Sequence, residues 1–108
     1  MPRKTKQELL REQIKRDLLD QLERNNTIGT YYTDMVDDYM KLWDTKNRLI
    51  ADIEERGVAI KNITNAGINF KRNDSVGDLI KTNAQMLKLL DSLGIRPAQT
   101  DGDEDAEM

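Results

Sequence analysis

Acidic side chains are the residues of this sequence best suited to catalytic chemistry, because the 108-residue chain contains neither cysteine nor histidine. Two adjacent pairs, Asp37–Asp38 and Glu54–Glu55, invite comparison with the paired carboxylates of acid–base enzymes. Consecutive residues of a helix point in different directions, so neither pair can act on one substrate. A thiol nucleophile, an imidazole base and a cysteine or histidine zinc site are all excluded by composition.

Two further kinds of site, a calcium loop and a nucleotide-phosphate loop, are only partly matched or not matched by the sequence. Alternating carboxylates from Asp101 to Asp105 suggest a calcium loop, but the central glycine and the twelfth-position glutamate of such a loop are missing. No glycine-rich phosphate loop is present, which argues against ATP hydrolysis. The sequence therefore predicts neither an enzyme nor a bound metal or cofactor.

Basic side chains offer a different chemistry, the binding of phosphate. The formal net charge is −3. However, the last twelve residues hold five acidic and no basic side chains, which leaves 17 basic against 15 acidic elsewhere. The basic excess falls into two groups, predicted to contact DNA phosphates. The N-terminal basic group is Arg3, Lys4, Lys6, Arg11, Lys15 and Arg16, and the hairpin basic group is Lys61, Lys71 and Arg72. The alternatives are a solvated helix face for the first group and a lysine-protected strand edge for the second.

These charges must be positioned by helices, and two long ones are predicted first. A leucine and isoleucine stripe with a four-residue step predicts a helix over about 5–24, followed by turn-forming residues. A second helix over about 30–56 would be roughly 40 Å long, too long for a compact monomer of this size. Its seam repeats every three or four residues and is predicted to be the oligomer interface. The seam residues are Tyr32, Val36, Tyr39, Trp43, Ile50 and Ile53. Stacking of nucleobases on these aromatic side chains is the alternative.

A β-hairpin over about 58–72 is predicted from two alternating runs around an Asn- and Gly-containing turn. A third helix is predicted over about 76–93, with Ser75 as its cap and Gly94 after its end. Its expected apolar face holds Leu79, Ile80, Met86, Leu87, Leu90 and Leu93. The composition after residue 96 is typical of disorder.

The sequence thus predicts a mainly α fold with a short hairpin, in a single oligomerisation and DNA-binding domain over residues 1–96. A disordered acidic tail over 97–108 is expected to follow. No apolar run approaches the length of a membrane span and no signal peptide is recognised, so a soluble, cytoplasmic protein without membrane contact is expected.

Several blocks of residues resemble the small terminase subunits of tailed phages and of prophages in Gram-positive bacteria. The blocks are Tyr31–Tyr32, Asp38–Met40, Trp43, Thr45–Asn47, Asp52–Ile53, Glu55–Val58, Lys71, Asn73–Val76, Lys81–Leu87 and Leu93–Pro97. The resemblance covers roughly residues 10–97, and its most specific element is the last helix with Leu-Gly-Ile-Arg-Pro. The first two predicted helices lack the short glycine-containing turn of a helix-turn-helix.

The resemblance implies a DNA-packaging protein that is not an enzyme. It implies binding to viral double-stranded DNA and recruitment and stimulation of the large ATPase–nuclease subunit in the cytoplasm of the bacterial host. It also implies a ring-like homo-oligomer of about eight to ten copies. The alternatives are a small helical DNA-binding regulator, usually dimeric, and a coiled-coil adaptor without a nucleic-acid role.

Overall fold

A computed structural model describes residues 3–95 of the protein as three helices and one hairpin. Helix α1 spans Lys6–Arg24, α2 spans Thr30–Arg56 and α3 spans Asp74–Ser92. Strands β1 (Ala59–Thr64) and β2 (Gly67–Arg72) lie between α2 and α3. The mainly α fold with one hairpin is confirmed. The predicted acidic tail over 97–108 lies outside the described residues.

Helix α2 is the central element and contacts both α1 and α3. Seven apolar side chains are buried where the helices meet, namely Leu18, Leu22, Val36, Met40, Trp43, Met86 and Leu93. Eight partly buried apolar side chains pack against this core, and ten large apolar side chains among residues 3–95 are exposed. The Cα radius of gyration is 19.1 Å, whereas a compact chain of 100 residues has a radius of about 13 Å. The protomer is therefore extended and leaves much apolar surface uncovered.

Helix α1 begins with a complete capping box. The Glu8 backbone N–H donates to Thr5 Oγ1 over 3.0 Å, and the Thr5 N–H donates to Glu8 Oε1 over 2.7 Å. Only the C-terminal part of its apolar stripe is buried, through Leu18 and Leu22. Leu10, at the start of the predicted stripe, is largely exposed because no described element covers it.

The hairpin pairs Ala59 with Arg72, Lys61 with Phe70 and Ile63 with Ile68. Directly paired residues of an antiparallel ladder lie on the same face, so these six residues share what we call the apolar hairpin face. The opposite face, paired from Ile60–Lys71 to Thr64–Gly67, is mostly polar. Apart from the half-buried Ile60, every strand residue is exposed. A two-stranded sheet is marginally stable alone, and here neither face is covered by the helices.

Helix α3 begins two residues earlier than predicted, and the assignment of Ser75 as its cap is wrong. Asn73 is the N-cap, and its side chain accepts a hydrogen bond from the Ser75 backbone N–H over 3.0 Å. The Ser75 hydroxyl instead donates to an aspartate of α2. The helix ends as predicted, with Gly94 in the left-handed region at φ 71°.

The apolar face predicted for α3 is only partly correct. Met86 and Leu93 are buried in the core, and Leu90 packs against it. Ile80 and Leu87 are mostly exposed, because they lie on a side of the helix that no described element covers. None of the helices within residues 3–95 combines the length and the apolar composition of a membrane span.

Candidate nucleic-acid interface

The N-terminal basic group lies on and before the first three turns of α1, and half of it is engaged by carboxylates of the same chain. Arg11 donates two hydrogen bonds to Asp44 of α2, from Nε over 2.8 Å and from Nη2 over 2.9 Å. Lys15 forms an ion pair with Asp37 over 3.1 Å, and Lys4 pairs with Glu12. Two of these three pairs therefore hold α1 against α2.

The pKa shifts of these groups follow from the pairing. The hydrogen bonds from Arg11 lower the pKa of Asp44 below that of an ordinary aspartate, and the same bonds raise the pKa of Arg11. The hydrogen bond from Lys4 likewise lowers the pKa of Glu12. Both carboxylates are thus held in the charged form that neutralises their basic partners.

The other three members of the N-terminal basic group have no ion pair within the described part of the chain. Arg3 and Lys6 are exposed. Arg16 is exposed and donates to the neutral Gln13 side chain over 3.2 Å. Three positive charges therefore remain uncompensated at this end of α1.

The hairpin basic group is exposed and has no ion pair among residues 3–95. The strand register places Lys61 and Arg72 on the apolar hairpin face and Lys71 on the opposite face. All three residues line a cleft of about 320 Å³ at the base of the hairpin, together with Arg56 of α2. Asp74 is the carboxylate in this lining. Because Arg56 is paired with Asp52, the cleft offers the three hairpin basic side chains beside the carboxylate of Asp74, a composition suited to a phosphate group.

A buried polar cluster, which we call the Asn73 clamp, fixes the hairpin to the helices. The fully buried Asn73 donates through Nδ2 to the Gly57 carbonyl over 2.9 Å and to Asp52 Oδ2 over 3.1 Å. Asp52 also accepts from Ser75 Oγ over 2.7 Å. Asp52 further receives two bonds from Arg56, of 2.7 and 2.9 Å. The end of α2, both ends of the hairpin and the start of α3 are thereby joined at one point.

Hydrogen bonds from Arg56, Ser75 and Asn73, in that order of effect, hold the pKa of Asp52 far below its usual range. The clamp had not been anticipated from the sequence. The run Asn-Asp-Ser at residues 73–75 carried a signal, because Asn, Asp and Ser are all favoured caps. The Asp52 partner lies 21 residues from Asn73 and 23 from Ser75, beyond the reach of local patterns.

The predicted oligomer interface is divided between core and surface. Val36 and Trp43 are buried inside the protomer and leave almost no surface for a second chain. Tyr32, Tyr39, Ile50 and Ile53 are only partly buried. An interface role for the seam stays a prediction, and the half-buried residues are the ones available for it.

The aromatic side chains are placed more as packing groups than as an open stacking platform. Tyr31 and Tyr32 contact each other with ring centroids 4.4 Å apart and an angle of 41° between the ring planes. Burial raises the pKa of Tyr39, as expected of a phenol turned toward the core. Only Tyr31 is largely exposed among these residues.

Among residues 3–95, no three acidic side chains lie close enough together to hold a metal ion. The Asp101–Asp105 run lies outside the described residues.

A family model described as "Phage terminase, small subunit" matches residues 13–102 of the chain. No curated protein and no solved structure matches it.

Proposed function

The chain belongs to the phage terminase small-subunit family, and from this premise we propose that it binds viral double-stranded DNA as a ring-like homo-oligomer. In that role it recruits and stimulates the large ATPase–nuclease subunit, without catalytic activity of its own, in the cytoplasm of the bacterial host. The observation that carries the proposal is the family match over most of the chain, including all of α2, the hairpin and α3.

The uncompensated basic side chains support DNA binding. Lys61, Lys71 and Arg72 are exposed, belong to one cleft and have no ion pair within the described chain. Arg3, Lys6 and Arg16 add a second positive region at the start of α1. We therefore propose both basic groups as phosphate contacts and rank the hairpin basic group first, since Arg11 and Lys15 already neutralise carboxylates of α2.

The surplus of exposed apolar side chains supports assembly into a homo-oligomer. Among residues 3–95, ten large apolar residues are exposed and seven are buried. Three of the exposed ones, Ile63, Ile68 and Phe70, share one face of the hairpin, and an exposed apolar patch marks an interaction site. A ring of about eight to ten copies would also multiply the few charges of each protomer through avidity.

DNA binding measured against salt tests the nucleic-acid part of the proposal. The logarithm of the binding constant should fall linearly with the logarithm of the salt concentration, by about 0.9 for each phosphate contacted. Replacing Lys61, Lys71 and Arg72 together with Gln should flatten this slope, whereas the control Lys88→Gln on the exposed side of α3 should leave it unchanged. A slope near zero for the unmodified protein would contradict DNA binding and favour a protein adaptor.

Light scattering tests the assembly part. A mass of about eight to ten chains supports the ring, while a mass of two chains together with DNA binding would favour a small regulator.

Stimulation of the ATPase activity of the large subunit encoded in the same genome tests the recruitment part. If the two subunits are mixed and the ATPase rate of the large subunit stays unchanged, the recruitment part is contradicted.

A further inference from the structure

The turn that precedes α2 and the hairpin that follows it carry opposite charge. Residues 17–38, which surround the turn between α1 and α2, contain six acidic side chains and one basic side chain, and we call them the acidic end. Asp37 is paired with Lys15, which still leaves five carboxylates. Residues 57–73, which contain the hairpin, hold three basic side chains and no acidic one. The hairpin is therefore a basic segment and the turn between α1 and α2 an acidic one.

Both segments also expose apolar side chains. On the apolar hairpin face, Ile63, Ile68 and Phe70 are 72%, 60% and 71% exposed. At the acidic end, Ile28 is 76% exposed and Tyr31 is 64% exposed. The helices cover neither face of the hairpin, so packing within the chain does not explain the apolar character of Ile63, Ile68 and Phe70.

The acidic end is shaped as a groove, whereas the hairpin is a protrusion. The groove has a volume of about 280 Å³, and its lining includes Leu19, Leu22 and Ile28 with the carboxylate of Glu23. The Tyr31 ring lies over Gly29, another lining residue, within 3.0 Å of where a β-carbon would stand. The groove thus combines an apolar lining with one carboxylate and lies within the acidic end.

These surfaces cannot meet within one chain. Helix α2 separates them, and its 27 residues span about 40 Å at 1.5 Å per residue. We propose that the apolar hairpin face of one protomer docks into the groove at the acidic end of a second copy, with Lys61 and Arg72 facing the carboxylates. Isoleucine or phenylalanine side chains of the hairpin would occupy the groove, and the attraction between opposite charges would orient the hairpin in it.

This contact joins two different surfaces, so every added copy exposes the same pair again. Repetition of such a head-to-tail contact closes into a ring or continues as a filament, whereas a contact between identical surfaces stops at a dimer. The inference rests on the proposed homo-oligomer and specifies its interface. In the docked arrangement Lys61 and Arg72 are engaged by the second copy, so of the hairpin basic group only Lys71, on the opposite face, would contact DNA phosphate.

Blocking one surface at a time tests the proposal. The first variant, Ile68→Glu with Phe70→Ser, blocks the hairpin, and Asn69→Glu is its control because it adds the same charge to the opposite face. The second variant, Ile28→Lys with Asp34→Lys, blocks the acidic end. All four altered side chains are exposed, and circular dichroism of each variant verifies folding. Mass is then measured by light scattering, separately and after mixing.

Each blocked variant should remain a single chain, and Asn69→Glu should assemble as the unmodified protein does. The mixture should form a species of two chains and no larger, because one intact hairpin and one intact groove remain for a single contact. A folded variant that assembles normally would overturn the proposal, as would a mixture that stays monomeric. If the hairpin variant has the mass of the unmodified protein but no longer binds DNA, the proposal is also overturned and the apolar hairpin face is a DNA-binding surface. Failure of the unmodified protein to assemble or bind DNA would contradict the proposed function itself.

Discussion

Replacing Asn73 with Ala should loosen the attachment of the hairpin and lower the stability of the whole chain. The substitution removes the acceptor that caps α3, which costs about 0.5–2 kcal/mol. It also deprives the carbonyl of the partly buried Gly57 of its Nδ2 donor, and an acceptor left unsatisfied away from water costs up to about 1–3 kcal/mol. Because both losses occur at one side chain, they overlap, and we expect about 2–4 kcal/mol in total.

The assay is thermal unfolding at fixed protein concentration, since association makes Tm concentration-dependent. A domain of this size loses about 4–8 °C of Tm for each kcal/mol, so Asn73→Ala should unfold at least about 8 °C below the unmodified protein. Amide hydrogen exchange should rise most within β1 and β2, because Asn73 also donates its backbone N–H to the Val58 carbonyl over 2.8 Å.

Asn69→Ala is the matched control, since it removes the same side chain from an exposed position on β2. Its effect should stay within about 0.5 kcal/mol. Asn73→Asp should be intermediate, because it keeps a capping oxygen but loses the donor and adds a charge beside Asp52. If Asn73→Ala unfolds at the same temperature as Asn69→Ala, the clamp does not stabilise the fold and the reasoning is refuted.

Three further perturbations test other contacts. Trp43→Ala should lower the free energy of unfolding by about 3–5 kcal/mol, as expected for a buried aromatic side chain. An unchanged urea unfolding curve would show that Trp43 does not contribute to the core. A double-mutant cycle of Arg11→Ala and Asp44→Ala should give a coupling of about 0.2–1 kcal/mol, the range for solvent-accessible ion pairs; a coupling of zero would show that the pair does not fasten α1 to α2. Asp52 has a lower pKa in the folded than in the unfolded chain, so its stabilisation is complete above about pH 4 and is lost as pH falls below that value. Asp52→Asn should therefore weaken the fall in stability during acid titration, and a titration curve that is only shifted uniformly would contradict this role.

The helices were predictable because their ends are set by neighbouring residues. Asn25 and Asn26 close α1, Gly57 ends α2 with φ 84°, and Gly94 follows α3 in the left-handed region. The hairpin was equally local, since its turn residues join two alternating runs. Each of these signals acts within a few positions, so a single sequence contains enough information to place them.

The errors have a different physical origin, because contacts distant in sequence decide them. Asn73 and Ser75 are both good caps, and Asp52 makes the choice by binding both side chains. The sequence predicts Arg11 as a phosphate ligand, but in the structure its guanidinium is bound to Asp44, which lies 33 residues away in the chain. Counting charges along the sequence cannot show that Asp44 neutralises Arg11, because the two side chains meet only when α1 packs on α2.

The same compensation decides which basic group can bind DNA at the smaller cost. A phosphate that captured Arg11 or Lys15 would leave Asp44 or Asp37 unpaired beside a new negative charge, so binding would compete with the contact between α1 and α2. By linkage, any DNA affinity gained there would be reduced by the free energy of loosening α1. Lys61, Lys71 and Arg72 surrender no ion pair within the described chain and face only Asp74 in their cleft. The basic side chains of the hairpin can therefore bind a partner, either phosphate or the acidic end of a second copy, without breaking an ion pair that holds the helices together.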